Sequence, residues 1–256
     1  MLVPDHIRDA AQEGDTAVVE AFLDAEPGAV NELAEDDLPL VMATANNAIE
    51  ERHVQCARML ITRGADVNIG ISGWTLLHYA CHPGGCASSM VSLVLQAGAR
   101  VNARTAVQGM TPLGQLIVEF DYLVDEEDED DRRQVSRSGL EIMKLMLKAG
   151  ASIYRCKGDL SAENLMQDFL NHNPNYANDV SFARCREILA GVRAHGSYKA
   201  YVREPHRRFL RLRSLLVRGR IKVQGRTTKD SRRLERLARL PNGACWHVLS
   251  FLWEAA

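Results

Sequence analysis

Gly73-Trp74-Thr75-Leu76-Leu77-His78-Tyr79-Ala80 opens a unit that closes on Val91-Ser92-Leu93-Val94-Leu95-Gln96-Ala97-Gly98-Ala99-Arg100-Val101-Asn102. The opening reads as a helix start, because the Thr75 hydroxyl can accept from the free N–H groups of a first turn. The close is an apolar helical stripe halted at Gly98, which takes the left-handed conformation without a Cβ penalty. The same close recurs as Ala57-Arg58-Met59-Leu60-Ile61-Thr62-Arg63-Gly64-Ala65-Asp66-Val67-Asn68 and as Met143-Lys144-Leu145-Met146-Leu147-Lys148-Ala149-Gly150-Ala151-Ser152-Ile153. The first two Gly-Ala pairs lie 34 residues apart. The opening recurs as Gly109-Met110-Thr111-Pro112-Leu113, where the missing N–H of Pro112 falls in a first turn and is not needed. Leu38-Pro39-Leu40-Val41-Met42-Ala43 has the same shape. One helix pair cannot bury its apolar stripe alone, whereas stacked pairs can, so the period predicts an all-α solenoid.

These residues resemble the ankyrin repeat, whose pattern is Gly-x-Thr-Pro-Leu-His-x-Ala, an apolar helix, then Gly-Ala-x-x-Asn, with a period near 33. Residues 69–102 match it well, and residues 38–68 and 105–153 match it in part. Asp5 to Asp15 followed by Val18 to Leu23 is similar to a degenerate first repeat, and a fifth runs from Asp159 through Leu165 to Leu189. The resemblance implies an ankyrin-repeat solenoid of about four to five helix pairs over residues 1–190, with a helical C-terminal extension over 191–256. It also implies a concave face made of turn fingers and first helices. The variable positions of the motif fall on Ile71, Trp74 and His82 in the third repeat and on Gln108, Met110 and Glu119 in the fourth. These six are the expected partner-binding residues. Trp74 and Met110 are large and apolar where the family's side chains face outward, as interface anchors do. The competing expectation is that a neighbouring finger or the acidic loop covers them.

Between Leu116 and Gly150 the fourth repeat is about 18 residues longer than the pattern needs. The surplus centres on Asp125-Glu126-Glu127-Asp128-Glu129-Asp130-Asp131, followed by Arg132-Arg133. Seven adjacent carboxylates repel one another and resist burial, which predicts an exposed loop around residues 121–137. Such a loop is either a solvated insertion or a docking surface for a basic partner. A calcium site needs oxygens at set positions and a Gly for the turn, and the run has neither.

His78, Cys81, His82 and Cys86 crowd into nine residues, a spacing that can mean zinc. The resemblance gives His78 a different task, bonding backbone to hold adjacent repeats together, and puts Cys81 at a small buried position. No second Cys/His pair follows to close a tetrahedral site, so neither metal nor cofactor is expected. Gly-rich phosphate loops, Gly-x-Ser-x-Gly and His-Glu-x-x-His are all missing, and the chain is not expected to be an enzyme. A Cys–His pair formed in space stays open at this point.

The longest apolar runs fall short of the ~18–20 residues of a membrane span. The N-terminus shows no signal-peptide pattern, and six scattered cysteines predict a reduced protein of the cytoplasm or nucleus. Net charge is −2 but unevenly spread. Residues 1–183 carry 13 Lys and Arg against 28 Asp and Glu, a net −15, and residues 184–240 carry 18 against 4, a net +14. From Pro205 the chain turns basic, with an amphipathic helix expected over Phe209 to Arg220, a second over Leu234 to Leu240, and an apolar last helix around Trp246 to Trp253. An ankyrin array followed by such helices is similar in layout to proteins ending in a SOCS box. The box's cysteine, four residues after its Leu, falls here on Gly219, counting from Leu215. Leu240-Pro241 with Val248-Leu249-Ser250-Phe251-Leu252 is similar to the opening of an F-box. The expected function is a scaffold or adaptor, monomeric, that binds a protein partner. The alternatives are a ubiquitin-ligase substrate adaptor and nucleic-acid binding by the basic segment. The acidic first 183 residues argue against the last.

Overall fold

The computed structural model describes residues 2–34, 37–45, 49–82, 87–120 and 129–218. The chain divides after Tyr198, eight residues beyond the boundary expected from sequence. The reason is the helix that closes the fifth repeat, which runs to His195 and ends on left-handed Gly196.

Among the described residues, ten α-helices make the first unit: α1 (Asp5–Glu13), α2 (Thr16–Ala25), α3 (Leu40–Ala43), α4 (Glu51–Thr62), α5 (Leu76–Tyr79), α6 (Ala87–Gln96), α7 (Pro112–Glu119), α8 (Glu129–Lys148), α9 (Ala162–His172) and α10 (Val180–His195). A two-stranded hairpin, β1 (Gly70–Ile71) and β2 (Trp74–Thr75), precedes α5. Odd-numbered helices touch one another in chain order and form an inner layer; even-numbered helices do the same in an outer layer. Five helix pairs therefore stack, the upper end of the expected range, and α9 with α10 is the fifth.

The layers meet over side chains that are completely buried, among them Leu76, Leu77, Leu113 and Leu116 from the inner helices and Met90, Val94, Met143 and Met146 from the outer ones. Around α9 and α10 the core becomes aromatic. Phe120 meets Phe182 edge-on at 4.8 Å, and Phe169 lies 5.1 Å from Phe182. Such pairs add about 0.5–1.5 kcal/mol beyond their buried area. The outer helices stop as their Gly-Ala pairs predict. Gly64, Gly98 and Gly150 are left-handed, and Ala65, Ala99 and Ala151 each donate back to the carbonyl five residues earlier (2.9–3.2 Å).

The insertion departs from expectation. Residues 129–137 are not loop but the first turns of α8, which at 20 residues is twice the length of α6. A helix N-terminus favours negative charge, so Glu129, Asp130 and Asp131 suit a first turn better than their mutual repulsion suggests. Asp125 to Asp128 lie outside the described residues. The second unit is described through Arg218 and consists of α11 (Tyr198–Val217), which carries Pro205 in its interior. The two later helices expected in the basic tail, and the SOCS-box and F-box positions from Gly219 onward, lie outside the described residues. No helix among the described residues is long and apolar enough to cross a membrane.

Candidate interaction surface

The fingers are built on backbone bonds. Ser72 and Gly73 both have positive φ, 50° and 83°, the geometry that a two-residue hairpin turn demands. A side chain at Gly73 would overlap the backbone of Arg104 and Thr105, so the glycine also lets the next finger approach. Ala106 N–H then donates to the Ser72 carbonyl at 2.7 Å, and Gly158 N–H donates to the Gln108 carbonyl at 2.9 Å. Three successive fingers are thus stitched edge to edge. Arg104 adds two side-chain bonds, to the carbonyls of Arg155 (2.7 Å) and Gly158 (3.2 Å).

A second ladder runs behind the outer helices. Asn68 donates to the Gly98 carbonyl (3.3 Å) and accepts from Arg100 N–H (2.8 Å); Asn102 repeats this on Gly150 (3.2 Å) and Ser152 (2.8 Å). Asn31 does the same on Gly64 (3.1 Å) and Asp66 (2.8 Å), although its Gly28-Ala29 pair sits one residue closer to it than in the later repeats. His78 forms a third cross-link. Its Nε2 lies 3.1 Å from the Met110 carbonyl, which makes it the N–H donor, and its Nδ1 accepts from Thr75 N–H at 3.1 Å. Burial holds the ring below its ordinary pKa. Nε2 thereby joins the third repeat to the fourth, the task the resemblance implied, while Nδ1 is committed to the helix start of its own repeat.

Of the six expected partner-binding residues, the structure brings two pairs together. Ile71 and Trp74 face each other across the hairpin, both half-buried. Trp74 packs edge-on to His78 at 5.5 Å and tilts against Tyr79 at 6.0 Å, so its own repeat covers part of the ring. His82 lies 3.6 Å from Glu119, across the step from α5 to α7. Burial pushes the Glu119 carboxyl above its ordinary pKa, a shift opposed by His82 and by the Gln115 amide, which donates to the same carboxylate. Gln108 is exposed at a finger tip. Met110 is the correction: it is buried, only 2% exposed. Its sulfur packs beside Gly114, where the lack of a Cβ leaves room for it.

Exposed apolar residues do occur on the fingers, but at other positions. Val107 is 90% exposed beside Gln108, and Tyr154 and Leu160 on the following finger are about half exposed. An apolar residue between Ala106 and Gln108 in a turn was the available signal for Val107. The cysteines offer little chemistry. Burial raises the thiol pKa of Cys56 to about 11 and of Cys185 to about 12, and raises those of Cys81 and Cys156 as well. Such thiols stay protonated and are poor nucleophiles. Cys86 lies outside the described residues.

A family model for ankyrin repeats, in three copies, matches residues 7–119, which span α1 to the end of α7. Residues 7–119 belong to the ankyrin-repeat family. The stack of helix pairs continues beyond the matched residues through α8, α9 and α10. Among solved structures, a chain from the complex of a predatory endopeptidase of Bdellovibrio bacteriovorus with an immunity protein is 17% identical. The similarity covers 65% of this chain and 92% of that one, with a TM-score of 0.39. The human ASB11 ankyrin repeat domain is 21% identical, over 62% of this chain and 90% of that one, with a TM-score of 0.32. No curated protein matches the chain in sequence.

Proposed function

We propose that this ankyrin array is a scaffold or adaptor that holds a protein partner against its fingers and inner helices. Ankyrin repeats in general serve as protein-interaction modules, presenting an extended surface made by stacking. The observation that carries the reading is the exposed apolar set on rigid fingers, Val107, Tyr154 and Leu160, next to the half-buried Ile71 and Trp74. Apolar side chains fixed on stitched backbone lose little entropy on binding and suit interface anchors. Gln108, His82 and Glu119 border them and supply polar contacts. The buried Met110 is not part of this surface.

The test is a differential capture. Wild type and a Val107→Glu/Leu160→Glu variant are used as bait in parallel, with quantitative mass spectrometry of the retained proteins. A protein held stoichiometrically by the wild type and lost with the variant supports the reading. An identical retained set overturns it. The ligase-adaptor reading rests on the sequence echoes at Leu215 and Leu240 alone, and ligase subunits that persist with both baits would raise it.

A further inference from the structure

The array is acidic, yet its outer layer concentrates cations in one place. A cleft of about 560 Å³ opens between α4, α6 and α8. Ser88, Ser92 and Gln96, each four residues from the next, form its α6 wall; Lys144 and Lys148 form its α8 wall; Arg58 closes the α4 side. A second hollow of about 480 Å³ shares Ser88 and Glu141 with the first and extends it toward Arg137 and Arg133. On α8 the positions 133, 137, 141, 144 and 148 follow the three- and four-residue steps that share one helix face. The groove thus has a hydroxyl and amide wall opposite a cationic stripe, with Glu141 within the stripe and Asp130, paired to Arg133, at its far end. Arg58, Arg137, Lys144 and Lys148 enter no ion pair among the described residues. Arg133 is paired with Asp130 at 3.3 Å, so Arg58, Arg137, Lys144 and Lys148 are the cations the groove offers.

We propose that this groove binds an acidic segment of a partner protein, laid extended along α8. At ~1.5 Å per helical residue the stripe from Arg133 to Lys148 is ~22 Å long. An extended peptide covers that length with about seven residues. Glu141 near the centre sets a register: carboxylates toward both ends and an uncharged residue in the middle. The serines and Gln96 donate hydrogen bonds to the carboxylates or to the peptide backbone. A duplex nucleic acid fits less well. It carries a charge every ~1.7 Å and would continue past the groove over a unit whose residues 1–183 hold 28 acidic side chains against 13 basic ones. The surface lies on the outer layer and does not depend on the finger surface proposed above.

Fluorescence anisotropy on the full chain tests this, with two labelled probes, Glu-Glu-Gly-Ser-Gly-Glu-Glu and a contiguous hepta-glutamate. The basic segment 184–240 gives both probes a common salt-sensitive background, so the variants decide. Lys144→Glu/Lys148→Glu should weaken the spaced probe about tenfold, while Lys144→Arg/Lys148→Arg keeps it within about twofold. Glu141→Gln should tighten the contiguous probe about two- to fivefold and leave the spaced probe nearly unchanged, which binding to the basic tail cannot imitate. Arg211→Glu/Arg213→Glu should lower the background of both probes equally. Unchanged binding in the Lys144/Lys148 reversal, with the circular dichroism of wild type, overturns the proposal. So does an equal response of both probes to Glu141→Gln. A random DNA duplex that loses more affinity than the spaced peptide in the Lys144/Lys148 reversal overturns the assigned class of partner.

Discussion

The joint at His78 carries a prediction with a worked magnitude. The ring is 1% exposed, so the Met110 carbonyl and the Thr75 N–H that it satisfies have no access to water. His78→Ala leaves the Thr75 N–H unpaired at about 1–3 kcal/mol and takes one of two donors from the Met110 carbonyl, which keeps the Thr105 N–H at 2.9 Å; the vacated ring volume adds to that loss. His78→Gln can restore one of the two bonds and should lose roughly half as much. The pH dependence follows from the depressed pKa of the folded ring. Below the unfolded value of ~6.5 the unfolded chain takes up a proton that the folded ring refuses. The contribution of His78 is therefore complete above pH ~6.5 and is lost as pH falls below it, by up to ~1.4 kcal/mol per pH unit for one proton. Urea unfolding of wild type and His78→Gln at pH 7.5, 6.0 and 5.0, followed by circular dichroism, measures this. The advantage of wild type should shrink toward pH 5.0, because the variant has no ring to protonate there. A difference that stays constant across the three pH values refutes the argument. So does a His78→Ala loss below ~1 kcal/mol.

Gly114→Ala in α7 should destabilise despite a helix-propensity gain of ~1 kcal/mol, because the new Cβ overlaps the Cys156 carbonyl and presses on the Met110 sulfur. Overpacking of this kind costs about 1–3 kcal/mol, and thermal melting should fall by a few degrees; an unchanged or higher midpoint contradicts it. Asn102→Ala removes the bonds to Gly150 and Ser152 and should lower the urea midpoint by the equivalent of about 1–2 kcal/mol. Asn102→Asp keeps the acceptor for Ser152 N–H and should retain part of that stability; equal losses in the two variants contradict the ladder. A strong chelator should leave the melting midpoint unchanged, since both His78 nitrogens are already hydrogen-bonded; a marked drop, with zinc in the purified protein, would reverse that reading.

Much of the array was legible in the sequence because its punctuation is local. Gly64, Gly98 and Gly150 end helices through their own backbone conformation, and Thr111 caps α7 through its own hydroxyl, which accepts from Gly114 N–H at 3.1 Å. Where reading by residue type went astray, a neighbour decided. The acidic run was read through the mutual repulsion of its carboxylates, but α8 begins within the run, at Glu129, where a helix N-terminus favours negative charge. Met110 was placed outward by its position in the motif, but Gly114, four residues on, opens a space that the thioether fills. The pairing of His82 with Glu119 joins residues 37 apart, and only the stacking of α5 on α7 reveals it. Asn31 escaped notice because Gly28-Ala29-Val30-Asn31 is one residue shorter than the Gly-Ala-x-x-Asn close of the later repeats.

Two of the inner helices, α3 and α5, are a single turn of four residues each. A helix that short does not nucleate by itself in water, so its order is lent by the layers on either side. Amides in such a segment exchange with solvent through local opening rather than through unfolding of the whole array. Trp74 and His82 flank α5 at its two ends. A partner that grips both closes that local opening, and its arrival should register as slowed deuterium uptake at Leu76 to Tyr79 while the outer helices keep their own rates. The same clamp holds His78 against Met110, so occupancy at the third repeat is felt as stiffness in the fourth.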